Sequence, residues 1–82
     1  MEYRGKQIWM HRSQRAGYMY ECYVELKYET RRGYTNDSEI WDYLHDNNEG
    51  WAYSKAEREK HQWAKRACYN CAIAGKESIK NL

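Results

Sequence analysis

Tyr18-Met19-Tyr20-Glu21-Cys22-Tyr23-Val24-Glu25-Leu26-Lys27-Tyr28 alternates along its whole length. Tyr18, Tyr20, Cys22, Val24, Leu26 and Tyr28 fall on one face of an extended chain, and Met19, Glu21, Tyr23, Glu25 and Lys27 on the other. Successive strand side chains point to opposite faces, so this period of two describes a half-buried β-strand with one wet side. The fold that follows is a sheet with one face covered, not a helical bundle.

Upstream, residues 3–11 read as a first strand, with Ile8 and Met10 on one side and Gln7, Trp9 and His11 on the other. Arg12-Ser13-Gln14-Arg15-Ala16-Gly17 is polar and ends in Gly, so it is a hairpin loop into the alternating strand. Downstream, Thr30-Arg31-Arg32-Gly33 reads as a second turn, and Tyr34 and Thr35 begin a short third strand. Asn36-Asp37-Ser38-Glu39 offers several N-cap residues, with Glu39 at capping-box spacing from Asn36. Ile40, Trp41 and Leu44 follow, which predicts a short helix over about 38–46. Asp46-Asn47-Asn48-Glu49-Gly50 is a breaker, and Trp51-Ala52-Tyr53 alternates as an edge strand.

Ser54-Lys55-Ala56-Glu57 is a capping box, worth roughly 1 kcal/mol at a helix start. No Gly or Pro interrupts the chain until Gly75, at the position of a C-cap. About twenty residues at ~1.5 Å each make a helix of ~30 Å, which matches the ~35 Å of the alternating strand at ~3.3 Å per residue. The helix therefore has the length to cover the sheet. At 100° per residue, Ala56, Trp63, Ala64, Ala67, Cys71 and Ala74 share a stripe, with Cys68 at its edge. Trp63 is the bulky member of that stripe and the expected anchor. Arg58, Gln62, Lys65, Arg66, Tyr69, Ile73 and Lys76 fall on the opposite, basic side. The fold class is thus α+β: an antiparallel sheet of about three strands under a long C-terminal helix, with a short helix near 38–46, all in one domain.

A chain of 82 residues has room for one sheet face and one helix face. No deep enzyme cleft is expected in it. Phe and Pro are absent, while nine Tyr and four Trp supply the aromatic mass. That is more than one small core hides, and exposed Tyr and Trp favour a binding protein. The net charge of +2 conceals a segmented pattern: +3 over residues 1–35, −5 over 36–53 and +4 over 54–82. No secretory h-region or stretch approaching ~18 apolar residues is present, so a soluble, cytoplasmic protein without membrane attachment is expected. An odd count of three cysteines argues against a closed disulfide framework.

Tyr3-Arg4-Gly5 with Ile8, then Gly17-Tyr18, then the Ser54-capped amphipathic helix, resembles the short ββ(β)α modules of many small phage and prophage proteins. The resemblance implies a compact non-enzymatic binder of the host-takeover or anti-defence kind, an inhibitor whose partner is a bacterial host protein or nucleoprotein complex. A related ββ(β)α plan serves the arm-binding domains of some phage-type integrases, where the sheet enters the DNA major groove. Glu21 and Glu25 on the exposed sheet face depart from that pattern.

Cys68-Tyr69-Asn70-Cys71, with Cys22 and His61, supplies a Cys3His set by count. The pair lies inside a helix, without the turn and glycines of a zinc knuckle, and Cys22 is on the inward strand face. The three thiols therefore read as buried apolar residues, without metal or other cofactor. His11, His45 and His61 are isolated, and no phosphate loop, paired-carboxylate motif or nucleophile elbow occurs, so no enzyme is expected.

Two binding surfaces remain. The first joins Asp37, Glu39, Trp41, Asp42, Tyr43, Asp46 and Glu49, aromatic anchors in an acidic rim, which suits a protein partner or a basic nucleic-acid-binding groove. The second gathers Arg12, Arg15, Arg31 and Arg32 in two loops and Arg58, Lys65, Arg66, Tyr69 and Lys76 on the helix, which suits direct contact with nucleic acid. Twelve acidic residues weigh against the second, so the sequence favours a protein partner bound by a monomer or homodimer through the acidic segment.

Overall fold

The computed structural model describes residues 1–45, 54–75 and the backbone of 77–80. The alternating stretch is the middle strand of an antiparallel sheet. Among the described residues the order is β1 (Glu2–Tyr3), β2 (Lys6–Arg12), β3 (Tyr20–Glu25), β4 (Glu29–Thr35) and β5 (Glu77–Lys80), neighbours in sequence being neighbours in the sheet. A short helix, α1 (Ser38–Leu44), and a long one, α2 (Lys55–Ala74), complete the α+β fold. The breaker at 46–50, the edge strand expected at 51–53, and Lys76 lie outside the described residues.

The first expected strand is split. Arg4 and Gly5 both take positive φ, 52° and 75°, the backbone of a two-residue type I′ hairpin. The tiny β1 then folds back on β2, pairing Tyr3 with Lys6. The alternating strand is shorter than its pattern. Tyr20, Cys22 and Val24 are buried as expected, but Tyr18 and Tyr28 lie beyond the pairing and are exposed.

The larger correction concerns residues 30–33, which are strand and not turn. The chain reverses earlier, where the Leu26 N–H donates to the Glu29 carbonyl at 2.8 Å. β4 then pairs along all of β3, with Tyr20 opposite Thr35, Cys22 opposite Gly33 and Glu25 opposite Thr30. Gly33 serves packing: a Cβ there would run into the Cys71 backbone carbonyl of α2. The short helix is capped by Asp37, whose Oδ1 accepts the Glu39 N–H at 2.9 Å. Asn36 instead accepts the Met19 N–H at 2.7 Å and donates to the Gly17 carbonyl at 3.2 Å, which pins the β2–β3 loop.

Helix α2 starts as read, with the Ser54 Oγ accepting the Glu57 N–H at 3.1 Å. Gly75 ends it with ordinary φ of −62°, not in the left-handed region. Glycine is needed there because a Cβ would strike the Arg32 carbonyl.

The helix is rotated from the expected stripe by about 120°. His61, Ala64, Lys65, Cys68 and Ala72 face inward, while Trp63 is 39% exposed with the Lys60 ammonium 5.3 Å from its ring centroid. The inward face combines the small Ala64, Cys68 and Ala72 with His61 and Lys65, and the helix backbone comes close to the sheet at Gly33 and Gly75. A count of apolar residues scores His61 and Lys65 as polar and so points elsewhere. Ile8, Met10, Tyr20, Cys22, Val24, Ile40 and Leu44 complete the core. Each large aliphatic among them contributes roughly 1.5–3 kcal/mol by leaving water.

Candidate functional site

The register aligns two rows of side chains across the face of the sheet that α2 leaves uncovered. His11, Glu21 and Tyr34 form one row, and Trp9, Tyr23 and Arg32 the other. The Trp9 and Tyr23 rings stack with centroids 5.2 Å apart and planes 2° from parallel. The His11 ring tilts against Tyr23 at 5.6 Å. The Arg32 guanidinium lies 5.9 Å from the Tyr23 centroid and 5.5 Å from that of Tyr34.

The β2–β3 loop, held by Asn36, adds to this face. The Arg15 guanidinium lies 5.1 Å from the Tyr34 centroid and 5.9 Å from that of Tyr18, and the two rings meet at 5.2 Å. At the end of β2, Arg12 lies 5.1 Å from the Trp41 centroid, and Trp41 stacks on Tyr20 at 4.8 Å and on His45 at 5.2 Å. Arg12, Arg15, Arg32, Tyr23, Tyr34 and Trp41 border one open depression of about 780 Å³.

Glu21 is the carboxylate in that lining, and it is only 7% exposed. Its Oε1 accepts the Tyr23 hydroxyl at 2.6 Å and its Oε2 the Gln14 N–H at 3.4 Å. Burial, then the hydrogen bond to Glu21, pushes the Tyr23 phenol above its ordinary range and keeps it a donor. Both carboxylate oxygens thus have hydrogen-bond donors within the protein. Glu25 is exposed at the far end of β3.

The expected sites are redistributed. Of the basic set, Arg12, Arg15 and Arg32 converge. Arg31 is on the other face, 3.7 Å from Glu29 and donating to the Gly75 carbonyl. Lys65 is buried at 8%, Tyr69 packs on Tyr3 at 5.2 Å, and of the helix set only Arg58 and Arg66 are exposed among the described residues. The basic helix face expected from the sequence is therefore broken at Lys65.

Of the acidic set, Asp37 is a helix cap and Glu39 accepts Lys60 at 2.6 Å, which raises the Lys60 pKa. Trp41 and Tyr43 are half-buried against the core, Asp42 is exposed, and Asp46 and Glu49 lie outside the described residues. Trp9, His11, Tyr18, Tyr23 and Tyr34 carry the face but belong to neither expected set. The alternation already put Trp9, His11 and Tyr23 on the wet side. Their convergence needed the register of β4.

Comparison with known proteins finds no matching family model, no matching curated protein and no matching solved structure. The class that can be stated is structural: an α+β domain with a helix on one sheet face and an aromatic, arginine-rich surface on the other. Among the described residues no helix is long and apolar enough to cross a membrane.

Proposed function

We propose that the protein is a non-enzymatic binding module that takes single-stranded nucleic acid on its uncovered sheet face. The observation that carries this reading is the convergence of three guanidinium groups with a cluster of rings around one open depression whose carboxylate is satisfied by the protein itself. Unpaired bases stack on aromatic side chains and arginine planes at roughly 1–3 kcal/mol per base, whatever their identity. Guanidinium groups meet phosphates through paired N–H donors. A face of this size holds about two or three bases. Paired bases hide their ring faces, so a duplex gains only the charge contacts.

The acidic segment supports a partner-binding reading less well, because Trp41 and Tyr43 are packed against the core and Glu39 is paired with Lys60. The test is an anisotropy titration with a labelled oligouridine and the matching duplex at several salt concentrations. The single strand should bind more tightly, and the protein carrying Arg15→Gln with Arg32→Gln should lose about tenfold or more, its salt slope falling by about 0.7 per phosphate contact removed. Equal binding of duplex and single strand, or no binding at all, contradicts the proposal.

A further inference from the structure

Cys22, Cys68 and Cys71 are all free thiols on the covered side of the sheet. Cys22 and Cys68 are fully buried, and Cys71 is half-buried. Cys22 sits directly opposite Gly33 in the β3–β4 ladder. The space where a Gly33 Cβ would stand is taken by Cys71, whose Sγ lies 2.9 Å from that point. Directly opposed Cβ positions are about 5 Å apart, so the Cys71 sulfur is held at the side of the Cys22 side chain. Both helix thiols also reach backbone carbonyls, Cys68 Sγ donating to Trp9 at 3.7 Å and Cys71 Sγ to Tyr34 at 3.4 Å.

We infer that Cys22 and Cys71 form a peroxide-reactive dithiol, in which Cys71 is the sulfur attacked first and Cys22 the one that closes the disulfide. The inference stands on the sheet and helix geometry and does not depend on the nucleic-acid reading. Access favours this order, since Cys71 is the one of the three that reaches solvent. The thiol chemistry agrees. Hydrogen bonding with Cys68, then with Cys71, and then burial push the Cys22 thiol far up. The hydrogen bond from Cys22 draws the Cys71 thiol below its ordinary value against the opposing effect of burial.

The step balances with hydrogen peroxide as oxidant. The Cys71 thiolate attacks one peroxide oxygen, the O–O bond breaks, and the leaving hydroxide takes up the proton that Cys71 released, giving water and a sulfenic acid. The Cys22 sulfur then attacks the Cys71 sulfur, the S–O bond breaks, and the hydroxyl departs as water with the Cys22 proton. Two thiols are oxidised to one disulfide, and one peroxide is reduced to two waters. The product ties α2 to β3, across the sheet from the aromatic face.

The test treats the folded protein with equimolar hydrogen peroxide, blocks residual thiols by alkylation under denaturing conditions and maps the peptides by fragmentation mass spectrometry. Fragmentation is needed because Cys68 and Cys71 share one tryptic peptide. The expected product lacks two hydrogens, links Cys22 to Cys71, forms equally in Cys68→Ser, and returns to the starting mass with dithiothreitol. In Cys71→Ser the oxidation should slow by at least about tenfold, as the accessible thiol is gone. A dominant link through Cys68, an unlinked sulfinic acid at Cys71, or thiols unchanged by peroxide would each overturn the inference.

Discussion

The two faces of the sheet are built from opposite materials. On the covered face, Cys22, Val24 and Gly33 meet a helix surface of Ala64, Cys68 and Ala72, and the backbones approach until two glycines are compulsory. On the open face, Trp9, Tyr23 and Tyr34 stand beside Arg32 and Arg15, and their rings lie against one another or under guanidinium groups. Small residues close one face by letting a helix come near. Large amphipathic ones line the other, which no helix covers among the described residues. Among the described residues Tyr20 is the one buried Tyr or Trp; Tyr3, Trp41, Tyr43 and Tyr69 pack at the edge of the core, and Trp9, Tyr23 and Tyr34 stand on the open face.

The contrast breaks most severely at Gly33. A Gly33→Val substitution pushes a branched side chain into the Cys71 carbonyl and should cost about 3 kcal/mol or more, since overpacking of this kind moves backbone. Urea denaturation measures it; a midpoint unchanged from the parent would show that α2 does not ride on this glycine. Next in size is Ile8→Ala on the covered face, expected at about 2–5 kcal/mol for a residue with no exposure.

Tyr23→Phe probes the open face. It removes the hydroxyl that Glu21 accepts and should cost roughly 1–3 kcal/mol, the range for leaving a buried acceptor short of a partner. The same contact predicts a pH effect. Because the phenol is raised in the folded state above its usual 10.0, its contribution is complete below that value and is lost as the pH climbs through the folded pKa. Tyr23→Phe should flatten the alkaline decline in stability, and an identical pH profile in both proteins would break the Glu21–Tyr23 account. The smallest effect belongs to Trp63→Ala, below about 1 kcal/mol, because an exposed ring under a lysine holds no core.

Trp63 also marks where sequence reasoning stops. The β3 alternation and the Ser54 capping box were legible because both are local: a period of two and a four-residue cap are complete within their own windows. The rotation of α2 was not, since its inward face includes His61 and Lys65, which apolarity counts as outward residues. Thr30-Arg31-Arg32-Gly33 has turn-like composition, so β4 was hidden, and with it the register that brings Tyr34 and Arg32 beside Tyr23. The sequence shows the arginines at 12, 15 and 32 as cationic loop residues, whereas Arg12 and Arg32 lie in β2 and β4. That Arg32 stands beside Trp9 and Tyr23 follows from strand pairing between distant parts of the chain, while Arg15 reaches the same depression from the β2–β3 loop and Arg12 from the Trp41 side at the end of β2. Glu21 misled for the same reason. As a sequence letter it is a charge on the wet side, and in the fold it is a buried acceptor held by its neighbour.

We propose the uncovered, aromatic face as the binding surface. Amide chemical-shift mapping of the labelled protein with a short oligouridine tests it most directly. The account predicts shifts that concentrate at Trp9, His11, Tyr23, Arg32 and Tyr34 and in the loop around Arg15, with the Trp9 indole N–H among the largest. Shifts confined to the exposed helix positions Arg58 and Arg66, or to α1 around Asp42, would contradict it.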